Sequence, residues 1–405
     1  MRLLFLTDNF PPEVNAPATR TYEHCREWAK SGIDVTVITC VPNFPQGKVY
    51  PGYRNKFWQR EVMDGIKVIR VWSYIAPNAG FSKRIIDYLS YAFMAFGASL
   101  FVKTDIIVAT SPQFFTAVAG RWSAFFKRRP WVMEVRDLWP ESIRAVGLAK
   151  GRERWLDRLE KLELSLYRNA NRVIVVTNSF KNNISSRGIS NKKIEVITNG
   201  VVIDQFNPRP KNNELLVKLN LAGKFIISYI GTHGLAHKLD FILHCTRKVP
   251  EQVHFLLIGD GAEKRNLEAL HKKMALPNVS MLPAVPKAEI TSYLSITDVA
   301  LVNLKKSDTF KKVIPSKIFE AAAMGKPILL GVEGESKEII EQYAAGLCYE
   351  PEHEESFLQA LQKLYTDNDL YHKCSQNAIK MADQYDRTKK AKHLMEILKC
   401  VNPLA

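Results

Sequence analysis

Two series of short apolar runs, each alternating with helical stretches, constrain this chain more than any single residue does. The first series is LLFLT at 3–7, VTVIT at 35–39, IIVAT at 106–110, WVMEV at 131–135, RVIVVT at 172–177 and KIEVI at 193–197. Runs of this length, apolar on both faces, read as strands of a parallel sheet covered on both sides. After the polar, proline-bearing stretch NPRPKNNE at 207–214 the series restarts with FIISYIG, HFLLIGDG, VALVNL and PILLGV. The expectation is an α/β chain of two Rossmann-like domains, each built from βα units around a mostly parallel sheet. Sheets of this kind take ligands at the carboxyl ends of their strands, here 7–15, 136–141, 231–238, 259–261 and the loop before Pro315. That rule puts the expected site in a cleft between the domains.

Composition agrees with a soluble globular protein: 405 residues, 46% apolar and 24% charged, a length that favours two domains. Six cysteines lie scattered without a CxxC or metal spacing, which suits a reducing cytoplasm. The opening MRLLFLTDNFPP is too briefly apolar for a signal-peptide core and reads as a first strand. A net charge of +16, concentrated in the first half, suits nucleic acid, an anionic bilayer or a phosphorylated substrate, and does not choose among them.

The stretch KKVIPSKIFEAAAMGKPILL at 311–330 carries the most local chemistry. Pro315 suits a first helical turn, and Gly325 followed by Pro327 ends a helix of at most three turns. Ser316 and Lys317 stand four and three residues before Glu320, so the carboxylate shares a face with the first-turn amide donors. A nucleoside diphosphate needs both features: amides and a lysine for the diphosphate, and a fixed carboxylate for the ribose diol. Taken alone, such a glutamate is more often a cap or a partner of Lys317 on a solvated face. The rest of the chain has to decide.

Three segments bear on lipid. From Ile85 to Val102 the chain is mostly apolar with Asp87 its only charge, close to the length of a membrane span. A helix covering the sheet is expected there, given Gly97 and the neighbouring strands. RWSAFFKRRPW at 121–131 and GRERWLDRLEKLELSLYRNANR at 151–172 interleave aromatic or leucine residues with cations. That pattern suits an anionic lipid face as well as it suits an amphipathic core helix with a basic outer side. Their concentration in one domain tilts the expectation toward peripheral membrane contact.

Over nearly its whole length the chain resembles the family 4 glycosyltransferases of the two-domain GT-B fold. The resemblance rests on PPEVNAPATR after the first strand, VITNGVVIDQFNP at 196–208, ISYIGTHGLAHKLD at 227–240, LLIGDGAEKRNLE at 256–268 and PSKIFEAAAMGKPI at 315–328, all in order. With EVRDLWPES at 134–142 it is most similar to bacterial O-antigen and capsule enzymes, and especially to transferases of N-acetyl-L-fucosamine. The resemblance implies two Rossmann-like domains facing across a cleft: an acceptor- and membrane-facing domain at 1–205, a nucleotide-sugar domain at 206–384, and a final helix at 385–405 that crosses back.

Carried over by motif, Glu320 matches the glutamate that holds the donor ribose, and Lys238 the phosphate-binding lysine. Glu320 is the second glutamate of a family pair, Lys312 stands where the first would fall eight positions earlier, and Thr232, after Gly231, stands where the family has an arginine. The leaving diphosphate would then rest on Lys238, on the helix start at Pro315, Ser316 and Lys317, and on Lys312, with Gly259 at a neighbouring strand end. His237 is either an accessory or a surface residue. In the first domain Asn15-Ala16-Pro17 replaces a glycine-rich loop, and Arg20 is expected to supply the lost donor contact. Arg136, Asp137 and Glu141 fall on the acceptor side. Asp137 is expected to position or deprotonate the acceptor hydroxyl, unless it caps the following helix.

The resemblance implies transfer of a hexosamine from a UDP-sugar to an undecaprenyl-diphosphate-linked acceptor, with retention, at the inner face of the cytoplasmic membrane. No metal and no other cofactor is expected: the one Asp-x-Asp, Asp367 to Asp369, lies in a polar turn, and neither HExxH nor GxxxxGK[ST] occurs. A UDP-sugar 2-epimerase of the same fold would equally need Glu320. A nucleic-acid-binding protein would explain the charge but lacks a recognition helix or an aromatic strand signature.

Overall fold

The computed structural model describes residues 1–44, 46–75, 81–111, 113–141 and 153–401, and these divide into two compact units. The first comprises Met1–Thr198 and the C-terminal segment from Arg387; the second is Asn199–Asp386.

In the first unit, among the described residues, eight strands form one sheet in the order β3-β4-β2-β1-β5-β6-β7-β8. They are β1 (Arg2–Leu6), β2 (Asp34–Cys40), β3 (Trp58–Met63), β4 (Ile66–Val71), β5 (Ile106–Thr110), β6 (Trp131–Val135), β7 (Arg172–Val175) and β8 (Ile194–Val196). All neighbours run parallel except β3 against β4. Central strands such as β5 and β6 are buried throughout, as an unbroken apolar run requires when helices cover both faces. The helices are α1 (Ala16–Lys30), α2 (Phe81–Leu100), α3 (Phe114–Lys127), α4 (Glu153–Asn169) and α5 (Asn178–Ser186). Residues 142–152, where the sequence carries Ser142, Gly151 and Arg152 of the expected motifs, lie outside the described residues, as do 402–405 of the expected last helix.

The second unit holds a six-stranded parallel sheet in the order β11-β10-β9-β12-β13-β14. Its strands are β9 (Phe225–Ile230), β10 (Val253–Ile258), β11 (Val279–Leu282), β12 (Val299–Asn303), β13 (Ile328–Gly331) and β14 (Gly346–Cys348). Its helices are α6 (Asn213–Lys218), α7 (Leu239–Cys245), α8 (Lys264–Met274), α9 (Ile290–Ile296), α10 (Lys317–Ala323), α11 (Glu335–Tyr343), α12 (Glu354–Thr366) and α13 (Asn368–Gln384). The last helix, α14 (Arg387–Val401), returns to the first unit.

The expected boundaries at 205/206 and 384/385 move to 198/199 and 386/387, and hydrogen bonding explains the shift. The Val201 amide donates to the Tyr385 carbonyl at 3.0 Å, Val201 bridges to Asp386, and Phe206 buries in the second unit's core. On the other side of the boundary Arg387 pairs with Glu23 of α1, the Trp28 indole donates to the Ala391 carbonyl at 2.8 Å, and Leu394, Met395 and Leu398 join the core under β1 and β2. The final helix is therefore part of the first core.

Helix α2 fills the apolar stretch of 85–102: Tyr91, Ala95 and Ala98 are buried while Ile86, Leu89 and Phe93 are exposed. Among the described residues no helix is long and apolar enough to cross a membrane. Asp367 caps α13, its carboxylate accepting the Leu370 amide at 2.9 Å.

Candidate active site

At the carboxyl ends of β9 and β10 two backbones touch. A Cβ on Gly259 would stand 1.8 Å from the Gly231 carbonyl oxygen, and one on Gly261 would stand 2.5 Å from the His233 carbonyl oxygen. Only glycine allows that approach, and both residues have positive φ. The closure is held by the His233 amide donating to the Asp260 carbonyl at 2.8 Å and the Glu263 amide to the His233 carbonyl at 2.9 Å.

Against this crossing lies Lys317, the first residue of α10. Its Nζ sits 3.6 Å from the centre of the Tyr229 ring and 2.8 Å from where a Gly231 side chain would begin. The stem is half-buried, while Nζ itself is sealed from solvent and has no hydrogen-bond partner. Burial pulls its pKa down to about 7, against the opposing pull of the Glu320 carboxylate one turn on. His233 and His237 pack against the same tyrosine, tilted and edge-on, at 5.9 and 5.8 Å. Burial, with Lys317 and other cations nearby, lowers them to about 4 and about 3, so both are neutral near pH 7. Both His233 ring nitrogens and the His237 Nδ1 are buried without partners. The Tyr229 hydroxyl donates to the Thr232 carbonyl at 2.7 Å, which fixes the ring. An ammonium beside glycine backbone has the chemistry to receive a compact anion.

Asn303, at the end of β12, ties the rim together. Its amide donates to the His237 carbonyl at 2.9 Å and its oxygen accepts from the Tyr349 hydroxyl at 2.7 Å, where a side chain on Gly331 would collide with both groups. The α10 helix has seven residues and begins at Lys317, so Pro315 and Ser316 form the turn before it. Lys312 lies half-buried in the short 310–312 turn.

Lys238 lies at the rim of the crossing, its carbonyl 3.4 Å from the Asn303 amide nitrogen. Its Nζ pairs with Asp240 at 2.7 Å in a part-exposed bridge that raises its pKa, and its backbone adopts the left-handed region at φ +47°. In this structure Lys317 approaches the glycine crossing, and Lys238 pairs at the rim. Thr232 is exposed.

In the first unit the Arg20 and Asn15 side chains are engaged within the protein. Arg20 is 1% exposed; it pairs with Glu134 of β6 at 3.0 Å and donates to the Ile197 and Thr198 carbonyls, both at 2.8 Å. Its position about one turn into the amphipathic α1 aims it at the sheet, so it anchors the departing chain. The Asn15 oxygen caps α1 through the Ala18 amide at 2.8 Å, and its nitrogen donates to Asn9 at 2.7 Å, so both ends of the side chain are engaged. Arg136 clamps the same loop by donating to the Pro17 and Ala16 carbonyls at 3.0 Å, and burial lowers it to about 9, still cationic at neutrality. Asp137 follows β6 half-buried, and Glu141 accepts from Asn183 at 3.3 Å. The alternative of Asp137 as a helix cap falls on residues outside those described.

Beside that loop stand carboxylates the sequence reading passed over. Burial raises Asp8, at the end of β1, to about 6, and Asp87 of α2 to about 7 with Asp8 adding repulsion. Glu13 is raised to about 7 by burial, although its Oε1 accepts the Asn43 and Phe44 amides at 2.7 and 2.9 Å. Asp8 and Glu13 fall within the strand-end loop that the sequence marks; Asp87, lone in an apolar helix, was itself the signal. Tyr229 and His233 flank Gly231 in ISYIGTHG, where a tyrosine inside a buried strand calls for a hydroxyl partner.

Residues 15–200 match the family described as glycosyl transferase 4-like domain, and residues 212–381 match glycosyl transferases group 1. The chain is 25% identical over 376 residues to the putative colanic acid biosynthesis glycosyl transferase WcaI of Escherichia coli K12, covering 90% of this chain and 92% of that one. The protein is a glycosyltransferase.

Another relative is the probable glycosyltransferase WbjE of Pseudomonas aeruginosa, 26% identical over 56% of each chain. Solved structures show the fold of this glycosyltransferase to be GT-B. Sucrose-phosphate synthase from Thermosynechococcus elongatus superposes with a TM-score of 0.78 at 15% identity over 100% of both chains. Anabaena Alr3699/HepE, solved in complex with UDP and glucose, gives 0.73 at 17% identity over 99% of this chain and 100% of its own. These matches favour transfer over the epimerase expected as an alternative.

Proposed function

We propose that this glycosyltransferase moves a hexosamine, N-acetyl-L-fucosamine as the first choice, from a UDP donor to a polyprenyl-diphosphate-linked sugar during surface polysaccharide synthesis. The observation that carries the donor half is Lys317, an unpaired ammonium sealed against Gly231 with Glu320 on the same helix. The diphosphate takes Lys317 and the strand-end amides, and the Glu320 carboxylate takes the ribose diol. The complex of HepE with UDP and glucose supports uridine as the nucleotide, and the relatives named for colanic acid support a polysaccharide role.

In the reaction the bond from the anomeric carbon to the leaving phosphate oxygen breaks, and that oxygen takes the proton of the acceptor hydroxyl. The acceptor oxygen bonds on the face the phosphate leaves, which retains configuration without a protein nucleophile or a metal. Lys317 balances charge growing on the diphosphate, with Lys312 and Lys238 adding positive field from the rim. On the first unit Asp137 positions the acceptor hydroxyl, with Arg136 and Glu141 beside it. The enzyme works at the cytoplasmic membrane surface, where its lipid-linked acceptor resides.

The test is thermal unfolding of the wild type and Glu320→Ala with UDP, GDP or ADP, each in EDTA and in magnesium. A ligand at about 100 times its dissociation constant adds roughly 2.7 kcal/mol. UDP alone should raise the midpoint, equally with and without metal, and the variant should lose the rise. No shift with any nucleotide overturns the donor site. Incubating UDP-N-acetyl-L-fucosamine or UDP-N-acetylglucosamine with a polyprenyl-diphosphate sugar, and reading the anomeric coupling of the product, tests sugar and stereochemistry.

A further inference from the structure

The first sheet has a second ligand-sized feature, at the opposite ends of its strands. Strand register puts Arg2, Asp34, Thr36, Lys67 and Ile69 on one face, with Arg60 beside Ile69 and Val62 beside Lys67 on the edge strand. Helix α2 covers that face further along, where the Tyr91 hydroxyl donates to the Ile38 carbonyl at 2.9 Å, and it ends at Leu100. The rows beyond its end are left open as a cavity of about 470 Å³, with Val102 and Lys103 on its helix side.

The charge of this cavity is unbalanced. Its carboxylates are engaged, Asp34 with Lys67 at 2.7 Å and Glu61 with Arg70 at 2.6 Å, and Arg2 is held by Asp105. Arg60 lies over the Trp58 ring at 5.3 Å, and among the described residues neither it nor Lys103 makes an ion pair. Lys127, at the end of α3, reaches the Leu100 carbonyl at 3.2 Å, which brings another cation to the mouth. A lysine at a helix end serves the helix too, so charge alone decides nothing.

The second observation is the apolar surface at that mouth. Phe101 is 82% exposed, Phe125 76% and Phe126 64%, with Phe93 and Trp122 exposed nearby. Contacts of Phe96 with Trp122 at 5.7 Å and with Phe126 at 5.5 Å join α2 to α3, and Trp58 meets Phe101 edge-on at 6.4 Å. One aromatic ridge therefore runs across two helices to the cavity rim. Exposed aromatic rings of this number are uncommon on a free surface and mark a contact.

We infer that this cavity and ridge dock the protein on an anionic phospholipid bilayer, the cavity receiving a lipid phosphate headgroup and the ridge entering the acyl boundary. Aromatic rings seated beside cations are the combination that binds such a surface, each part weak alone. The aliphatic Ile86 and Leu89 extend the apolar strip along α2, which suits acyl chains better than stacked bases. The inference gives a place to the membrane contact proposed above and rests on that reading only for its partner; the docking face lies at the strand ends away from Asp8 and Arg136.

The experiment is co-sedimentation of the full chain with vesicles of phosphatidylcholine alone and of phosphatidylcholine mixed with phosphatidylglycerol. Two double variants carry equal changes of charge: Arg60→Glu with Lys103→Glu in the cavity, and Lys272→Glu with Lys273→Glu on the second unit. Phe101→Ser with Phe125→Ser removes the ridge. The wild type should prefer the anionic vesicles by roughly tenfold or more, and the cavity variant should lose most of that preference. The control pair should lose little, and the ridge variant should bind both vesicle types less. Equal losses in the cavity and control pairs would assign binding to net charge and overturn the site. Tighter binding of a single-stranded oligonucleotide than of vesicles, abolished by the same cavity variant, overturns it as well. The UDP-induced rise in unfolding midpoint, measured on each variant, reports folding and keeps failure here separate from failure of the donor site. If the charge reversals fail to fold, Arg60→Gln with Lys103→Gln is read in the same way.

Discussion

Lys317 is held between two states, because its pKa near 7 puts half of its ammonium at risk at neutral pH. A bound diphosphate favours the charged form and raises that value again, so binding takes up a proton above about pH 7. The expected result is that affinity for a UDP-sugar, whose phosphates do not titrate near neutrality, weakens up to tenfold per pH unit above about 7. Titration calorimetry across that range checks it, and Lys317→Met should bind more weakly with a flat profile. His233 and His237, held at about 4 and about 3, contribute nothing in this window. In the ligand-free protein the unfolded chain holds the proton that Lys317 gives up, so its contribution to stability improves as pH rises from about 7 toward the ordinary lysine value. Much of this residue was legible beforehand: PSKIFE marked Lys317 and Glu320 as a pair on one helix. The inward turn of the ammonium was not, because it depends on Tyr229 and Gly231 from a distant strand. Where the Lys238 ammonium rests was not legible either, since its pairing with Asp240 depends on the left-handed backbone at Lys238.

Short elements place these groups, and the β9 and β10 ends tolerate no substitution that thickens them. Gly259→Ala would drive a methyl into the Gly231 carbonyl at φ +154°, so roughly 2–4 kcal/mol of stability should be lost from strain and overpacking. Donor binding should fall with it, because Gly231, whose carbonyl is displaced, packs against Lys317; urea unfolding and calorimetry on one sample check both. Helix α1 makes the contrasting case. If Arg20 anchors the departing chain, Arg20→Met leaves Glu134 buried without its partner and should cost about 3–5 kcal/mol, while UDP affinity stays unchanged. A donor contact would give the reverse, intact stability and lost affinity. The apolar runs made most strands legible at sequence level, including β1, β5, β6, β9, β10, β12 and β13. Strand β4 escaped because IKVIRV carries two cations, one of them the buried Arg70 paired with Glu61 on the antiparallel β3. The brief β11 and β14, part-buried along most of their length, lack the unbroken apolar signal of a central strand.

The two units differ in how the chain supplies them. The first is discontinuous: its core includes Leu394, Met395 and Leu398, and Arg387 with Glu23 is buried in it. A chain ending at Asp386 strips that core and takes away Arg387 from Glu23 and the Ala391 carbonyl from the Trp28 indole, so the first unit should fail to fold. The second unit is one continuous segment whose ends meet, through the Val201 amide on the Tyr385 carbonyl and the bridge to Asp386. Its cores close on its own residues, and Lys317, Glu320, Tyr229 and the glycine crossing all lie inside it. Residues 199–386 should therefore fold alone with a cooperative transition, and UDP should raise its midpoint as in the full chain. Glycosyl transfer should be absent, because Asp137, proposed to position the acceptor, belongs to the other unit. If the excised unit folds but ignores UDP, donor binding depends on groups beyond this segment, and Lys317 is then a structural cation in a polar core. If it binds UDP and loses the effect on Lys317→Met, the donor site is complete in one unit, and the discontinuous unit is left to provide the acceptor and the membrane surface.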